Sequence, residues 1–130
     1  MATQEKSVVR TERAPAPFQG APYSQAIQAG EFVFVSGQLG LEPGHGEIGG
    51  AIEEQTEQVF ANLDAILAEA GTAVDRLVKT TVFLADLGDF AAMNEVYKRH
   101  VGASPPARST VEVAALPSGA LVEIEAIAQL

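Results

Sequence analysis

The chain has 130 residues, enough for one domain that hides roughly two-thirds of its unfolded surface on folding. It contains no cysteine, which excludes disulfides, thiolate-bound zinc, iron–sulfur clusters and a cysteine nucleophile. Its 17 acidic residues against 8 Lys plus Arg give a formal charge of −9, a field that repels phosphate backbones and argues against nucleic-acid binding. The hydrophobic content of 47% is ordinary for a globular domain. The first twenty residues carry Lys6, Arg10 and Arg13 without the apolar core of a signal peptide. No stretch reaches the ~18 apolar residues of a membrane-spanning helix. The expectation is a cytoplasmic protein with no membrane partner.

A short strand is predicted from Ser7 to Thr11, as an edge or a loose start, followed by an irregular tract through Ala14-Pro15-Ala16-Pro17, whose prolines neither donate to a ladder nor continue a helix. Residues 31–39 are rich in β-branched and aromatic types and predict a strand. Pro43, Gly44, Gly46, Gly49 and Gly50 then punctuate a polar loop. From Ala51 to Ala70 the period becomes helical: Ile52, Val59, Leu63, Ile66, Leu67 and Ala70 form one stripe, the early glutamates suit the positive helix end, and Gly71 suits the exit. Leu77 to Leu84 is a second strong strand. Asp86 or Asp89 can cap a shorter helix to about Val101, with Phe90, Met93, Val96 and Tyr97 as its buried side. Strands from Arg108 to Val113 and from Leu121 to Ala128 close the chain.

The expected order is β-β-α-β-α-β-β in a single α+β domain spanning residues 1–130. Two helices cannot cover both faces of such a sheet, so they are expected to share one. The other face, with Phe34 or Val35, Val82, Leu84 and Val111 as candidates, is too apolar to stay wet and predicts a homo-oligomer.

Gly44-His45-Gly46-Glu47-Ile48-Gly49 fits the G-x-G-x-x-G spacing. However, Pro43 interrupts the approach, and Glu47, Glu53 and Glu54 would sit near the phosphates, so a glycine-rich hairpin-like loop is the better reading. His45 and His100 have no metal-ligand spacing and no serine partner, and are read as surface residues. Arg108 leads into an alternating strand. Its planar guanidinium suits bidentate capture of a carboxylate, but on the residues alone a structural ion pair with Glu112, Glu123 or Glu125 is the simpler reading. Glu123 and Glu125, two apart, share one sheet face. One of them at a low-dielectric site can activate water, although on the residues alone a solvated outer face is the simpler reading. Gly37, in Ser36-Gly37-Gln38, allows close approach of a ligand or marks a bulge.

Together, Ala21-Pro22-Tyr23-Ser24-Gln25-Ala26, Val35-Ser36-Gly37-Gln38, Val78-Lys79-Thr80-Thr81-Val82-Phe83-Leu84 with Asp86-Leu87, Phe90-Ala91-Ala92-Met93-Asn94 with Tyr97, Pro106-Ala107-Arg108-Ser109 and Glu123-Ile124-Glu125-Ala126 resemble the Rid/YjgF family, also known by an L-PSP endoribonuclease or translation-inhibitor label. The resemblance runs from about Ala14 to Ala128. It implies a chorismate-mutase-like fold, with a mixed sheet carrying both helices on one face, assembled as a barrel-like homotrimer with clefts between subunits. It also implies hydrolytic deamination of enamine and imine intermediates, of the 2-aminoacrylate and 2-iminopropionate type, to 2-keto acids and ammonia. No cofactor or metal is implied, since an imine carbon is already electrophilic. In this picture Arg108 holds the substrate carboxylate and Glu123 deprotonates the attacking water. Ser36 and Gly37 offer polar and main-chain contacts, Tyr23 and Asn94 shape the cleft from a neighbouring subunit, and the backbone at Thr110 completes the lining. The chain departs from the family at Thr110, where Cys is frequent, and at Gly20-Ala21-Pro22, where members commonly have Gly-Pro. A keto-acid-binding module without turnover and an RNA-cleaving translation inhibitor are the alternatives.

Overall fold

A computed structural model describes residues 5–44 and 46–130; His45 lies outside the described residues. Six strands and two long helices follow one another as β1 (Ser7–Val9), β2 (Ala26–Ala29), β3 (Phe32–Leu39), α1 (Ile52–Ala70), β4 (Leu77–Leu84), α2 (Phe90–Val101), β5 (Ala107–Glu112) and β6 (Val122–Gln129). The sheet order is β1-β2-β3-β6-β4-β5. Every pairing is antiparallel except β4 with β5, which α2 joins as a parallel crossover.

One strand, β2, is additional to the expected order. It is only four residues long, and Gln28 breaks its apolar character. What makes it a strand is the hairpin that pairs Ala26–Ala29 with β3.

Alternation decides the two faces of the sheet. Val33 and Val35 of β3, Thr80, Val82 and Leu84 of β4, and Val122, Ile124, Ala126 and Ala128 of β6 are buried. They form one core with Val59, Phe60, Leu63, Ile66 and Leu67 of α1 and with Met93 and Tyr97 of α2. Both helices therefore share one face, as expected. The opposite face carries the register row Val8, Ile27, Phe34, Ile127 and Lys79, where Phe34 is 44% exposed. Of the apolar candidates for this open face, Phe34 and Val111 are exposed. Val35, Val82 and Leu84 instead lie in the core, because their parity along the strand follows Thr80 and the helices.

The loop after β3 is a hairpin-like excursion closed by an antiparallel bridge between Leu41 and Ile48. Glu54 folds back to accept the Ala51 N–H at the start of α1, so the chain's own carboxylate occupies the helix end that a dinucleotide fingerprint would offer to phosphate. Asp86 accepts from the Gly88 N–H within a short 3₁₀ turn, and α2 starts one turn later at Phe90. His100 is half-buried rather than a plain surface residue. Its ring stacks on Phe60 with centroids 4.5 Å apart, and Nε2 lies 2.7 Å from Glu57 Oε1.

Buried polar residues of α1 set the ends of the strands. Asn62 Nδ2 donates to the carbonyls of Leu39 and Leu41. Gln55 Oε1 accepts from Leu121 N–H at the start of β6, while its amide donates to Gly50. Gly40 makes this docking possible, since a Cβ there would stand 2.8 Å from the Gln55 backbone.

Candidate active site

The β3–β6 ladder is in register at Val35–Ala126 and again at Gln38–Ile124, so Ser36 and Gly37 together oppose Glu125. This two-against-one bulge shifts the parity of β3. Gln38 turns into the core, 5% exposed, and Gly37 faces Glu123. A Cβ on Gly37 would collide with the Glu123 carboxylate, whose carbon would be only 2.7 Å away. Glycine at this bulge therefore makes the room in which that carboxylate lies.

Above the bulge is a cavity of about 470 Å³ lined by Tyr23, Ser36, Gly37, Glu123 and Glu125, with walls from Pro15, Phe18, Leu39, Leu41 and Pro117. The 11–15 segment that forms one wall hangs on Gln25. Its side chain accepts from Thr11 N–H and donates to the carbonyls of Thr11, Ala14 and Pro15. The Tyr23 hydroxyl accepts from Phe18 N–H at 2.6 Å, which fixes the ring and leaves its O–H free to donate. Ser36 Oγ donates to the Ser24 carbonyl at 2.6 Å, so toward the cavity it offers lone pairs. Burial pushes the Glu123 carboxyl above its ordinary value, and the charge of Glu125 pushes it the same way.

The remaining expected residues stand elsewhere. Arg108 pairs with Thr80 and Thr110 with Val82 across β4–β5, and both belong to the helix side of the sheet. Glu123 pairs with Phe83 on the other side. The Arg108 Cζ lies 4.7 Å from the Tyr97 ring centroid and 5.4 Å from that of Phe90. Phe90, expected in the buried stripe of α2, is 42% exposed because the helix begins there, beyond the cover of α1. Asn94 shares this stripe, four residues after Phe90 and three before Tyr97, and its buried Oδ1 has no hydrogen-bond partner among the described residues.

Among the described residues no carboxylate pairs with Arg108. Glu112 instead accepts from the Leu87 N–H, and Glu123 and Glu125 face away across the sheet. The structural ion pair that was the simpler reading of the sequence is thus not formed. No group of three or more His, Asp or Glu side chains is arranged to hold a metal among the described residues, and none of their helices is long and apolar enough to cross a membrane. The apolar cavity walls and the Phe90–Tyr97 shelf went unread in the sequence. The Pro15–Pro17 tract hinted at the former, and nothing but helical spacing hinted at the latter.

Comparison with known proteins decides the family. Residues 11–130 match the family model described as Endoribonuclease L-PSP. The chain belongs to this family, the Rid/YjgF proteins. A RutC family protein of Pyrococcus abyssi is 54% identical over 124 residues, covering 95% of this chain and 96% of the relative. The mouse protein named 2-iminobutanoate/2-iminopropanoate deaminase is 47% identical over 124 residues, covering 95% of this chain and 90% of that protein. The crystal structure of Escherichia coli TdcF with bound serine superposes with a TM-score of 0.88 at 41% identity, covering 95% of this Rid-family chain and 98% of that one.

Proposed function

We propose that this Rid protein hydrolyses 2-imino acids of the 2-iminopropanoate and 2-iminobutanoate type to 2-keto acids and ammonia, in clefts shared between copies of the chain. The observation that carries the reading is the unpaired Arg108 guanidinium on its aromatic shelf. A cation with its N–H donors unspent, in a chain rich in acids, is suited to receive a ligand carboxylate through two parallel bonds. The deaminase named in mouse and the serine bound by TdcF, itself an amino acid with a carboxylate, agree with a ligand of this chemistry.

Glu123 supplies the base. Its raised carboxyl pKa brings it nearer neutrality, where a carboxylate removes a proton from water more effectively. Water adds to the carbon of the protonated imine as Glu123 takes one of its protons, which gives a neutral aminoalcohol. Glu123 returns that proton to the nitrogen, the C–N bond breaks to release ammonia, and the hydroxyl gives its proton to Glu123 as the keto-acid carbonyl forms. Tyr23 O–H and the Ser36–Gly37 backbone orient the reacting end, and Asn94 Oδ1, lacking a partner among the described residues, accepts from the imine N–H or a neighbouring copy.

Arg108 and Glu123 lie on opposite sides of one sheet, so a single chain cannot apply both to one substrate. The β5 edge with α2 of one copy must therefore meet the bulge face of another. Such a contact joins unlike surfaces, and contacts of this kind make a ring when the rotation between copies closes. Three copies, their open faces turned inward, cover the apolar row at Phe34. This reading includes a homotrimer and a cytoplasmic setting.

The test couples a dehydratase that releases 2-aminoacrylate to pyruvate detection. The wild type accelerates pyruvate release, while Arg108→Ala and Glu123→Ala lose that acceleration by about 10²-fold or more. Equal rates with and without the protein would remove the enzyme reading and leave a keto-acid-binding module.

A further inference from the structure

We propose that Tyr97 is a positioning residue that holds the Arg108 guanidinium flat with its N–H edges turned outward, and that Phe90 completes this shelf. The inference rests on Arg108 being the carboxylate receptor and adds how that receptor is kept in one orientation. An arginine side chain has four rotatable bonds, and on an edge strand it would sample many directions. A guanidinium stacked on a ring is restrained through its face, which makes no hydrogen bond, while its five donors lie in its plane and remain available.

The structure builds such a restraint in steps. Thr80, the register partner of Arg108 on β4, is fully buried and lies 2.6 Å, Oγ1 to hydroxyl, from Tyr97. Phe60 of α1 packs against the same tyrosine edge-on, with centroids 5.5 Å apart and planes at 77°. Tyr97 is thus fixed at its tip by a hydrogen bond and at its side by a ring, with only 5% of its surface exposed. The guanidinium Cζ lies over this doubly held ring, 4.7 Å from its centroid. Phe90, two helical turns earlier, adds a second ring with the guanidinium Cζ 5.4 Å from its centroid. Thr80 thus both pairs with Arg108 in the ladder and anchors the ring of its shelf, so the two cannot drift apart without breaking the β4–β5 ladder.

A role in orienting the charge differs from a role in packing in what it discriminates. The experiment measures affinity for 2-ketobutyrate and for its uncharged primary amide in the wild type, Tyr97→Leu, Tyr97→Phe and Phe90→Leu. The wild type prefers the carboxylate. Tyr97→Leu and Phe90→Leu lose about tenfold of that preference, and Tyr97→Phe, which keeps the ring, retains it within about threefold. Phe90 is exposed, so Phe90→Leu folds and decides the matter if Tyr97→Leu does not. Equal weakening of both ligands, or an unchanged preference in the leucine variants, overturns the positioning role. A wild type without preference for the carboxylate overturns the Arg108 reading beneath it.

Discussion

If each cleft takes Arg108 from one chain and Glu123 from its neighbour, two inactive variants must rescue one another. Arg108→Ala and Glu123→Ala are each expected to fall by about 10²-fold or more, through loss of a charge-assisted bidentate contact and of the base respectively. In an equal random mixture, a cleft is intact only when the Glu123→Ala chain supplies the arginine side and the Arg108→Ala chain supplies the glutamate side. Each condition holds for half the clefts, so co-expression returns about one quarter of wild-type turnover whatever the number of chains in the ring. The magnitude follows from the faces alone: Arg108 is in register with Thr80 and Glu123 with Phe83, and these two residues of β4 point to opposite sides. The assay is pyruvate release from 2-aminoacrylate by the co-expressed mixture, compared with the parents blended without subunit exchange. A co-expressed mixture no more active than its parents would refute a cleft shared between chains.

Gly37→Ala tests the space beneath Glu123. Gly37 has no left-handed backbone, so alanine fits the chain, and the displaced group is the free end of a side chain. The melting temperature is expected to move little while kcat/KM falls by about 10²-fold, the cost of a misplacement near 1 Å; an unchanged kcat/KM would refute the placement. The acid limb of kcat/KM against pH should lie above the ordinary glutamate value of 4.5, since burial first and Glu125 second raise the Glu123 pKa and the base works only when ionised. Glu125→Gln should lower that limb without returning it to 4.5. For stability the sign is opposite to that of an ion-paired carboxylate. With the folded pKa above the unfolded one, the contribution is full below the unfolded value and is lost as pH rises through the folded one. Glu123→Gln should therefore be inactive yet melt no lower than wild type at neutral pH. Asn62→Ala strips the buried carbonyl of Leu41 and that of Leu39 of a donor and should cost about 2 kcal/mol or more in urea unfolding.

Much of the fold was legible because the decisive signals are local. The run Leu77–Leu84 is a strand at its expected bounds, and the stripe from Ile52 to Leu67 is the buried side of α1. Ala26–Ala29 was not legible, because its stability comes from pairing with β3 rather than from its own residues. The faces of Val82 and Leu84 were missed for a related reason: alternation gives two faces but not which one the helices cover. The same limit governed Arg108. Whether it meets Glu112, Glu123 or neither depends on the parallel register of β4 with β5, a long-range fact that no spacing records. The alternation of Glu123 and Glu125 against Val122, Ile124 and Ala126, by contrast, was plain in the sequence and holds in the structure.

The separation of these two charges explains why the domain tolerates both unpaired. On one face and within reach, Arg108 and Glu123 would bind each other, and a substrate carboxylate would have to compete with a preformed ion pair while the base lost its raised pKa. The sheet between them prevents that. Arg108 rests against aromatic faces that satisfy its charge without using its donors, and Glu123 lies in a pocket cleared by Gly37, repelled by Glu125 rather than neutralised. In the proposed shared cleft, each becomes useful only when a second copy brings the opposite half with substrate between them. Assembly and chemistry are then one requirement, so a variant that weakens the contact between copies should lose turnover in proportion to the clefts it opens.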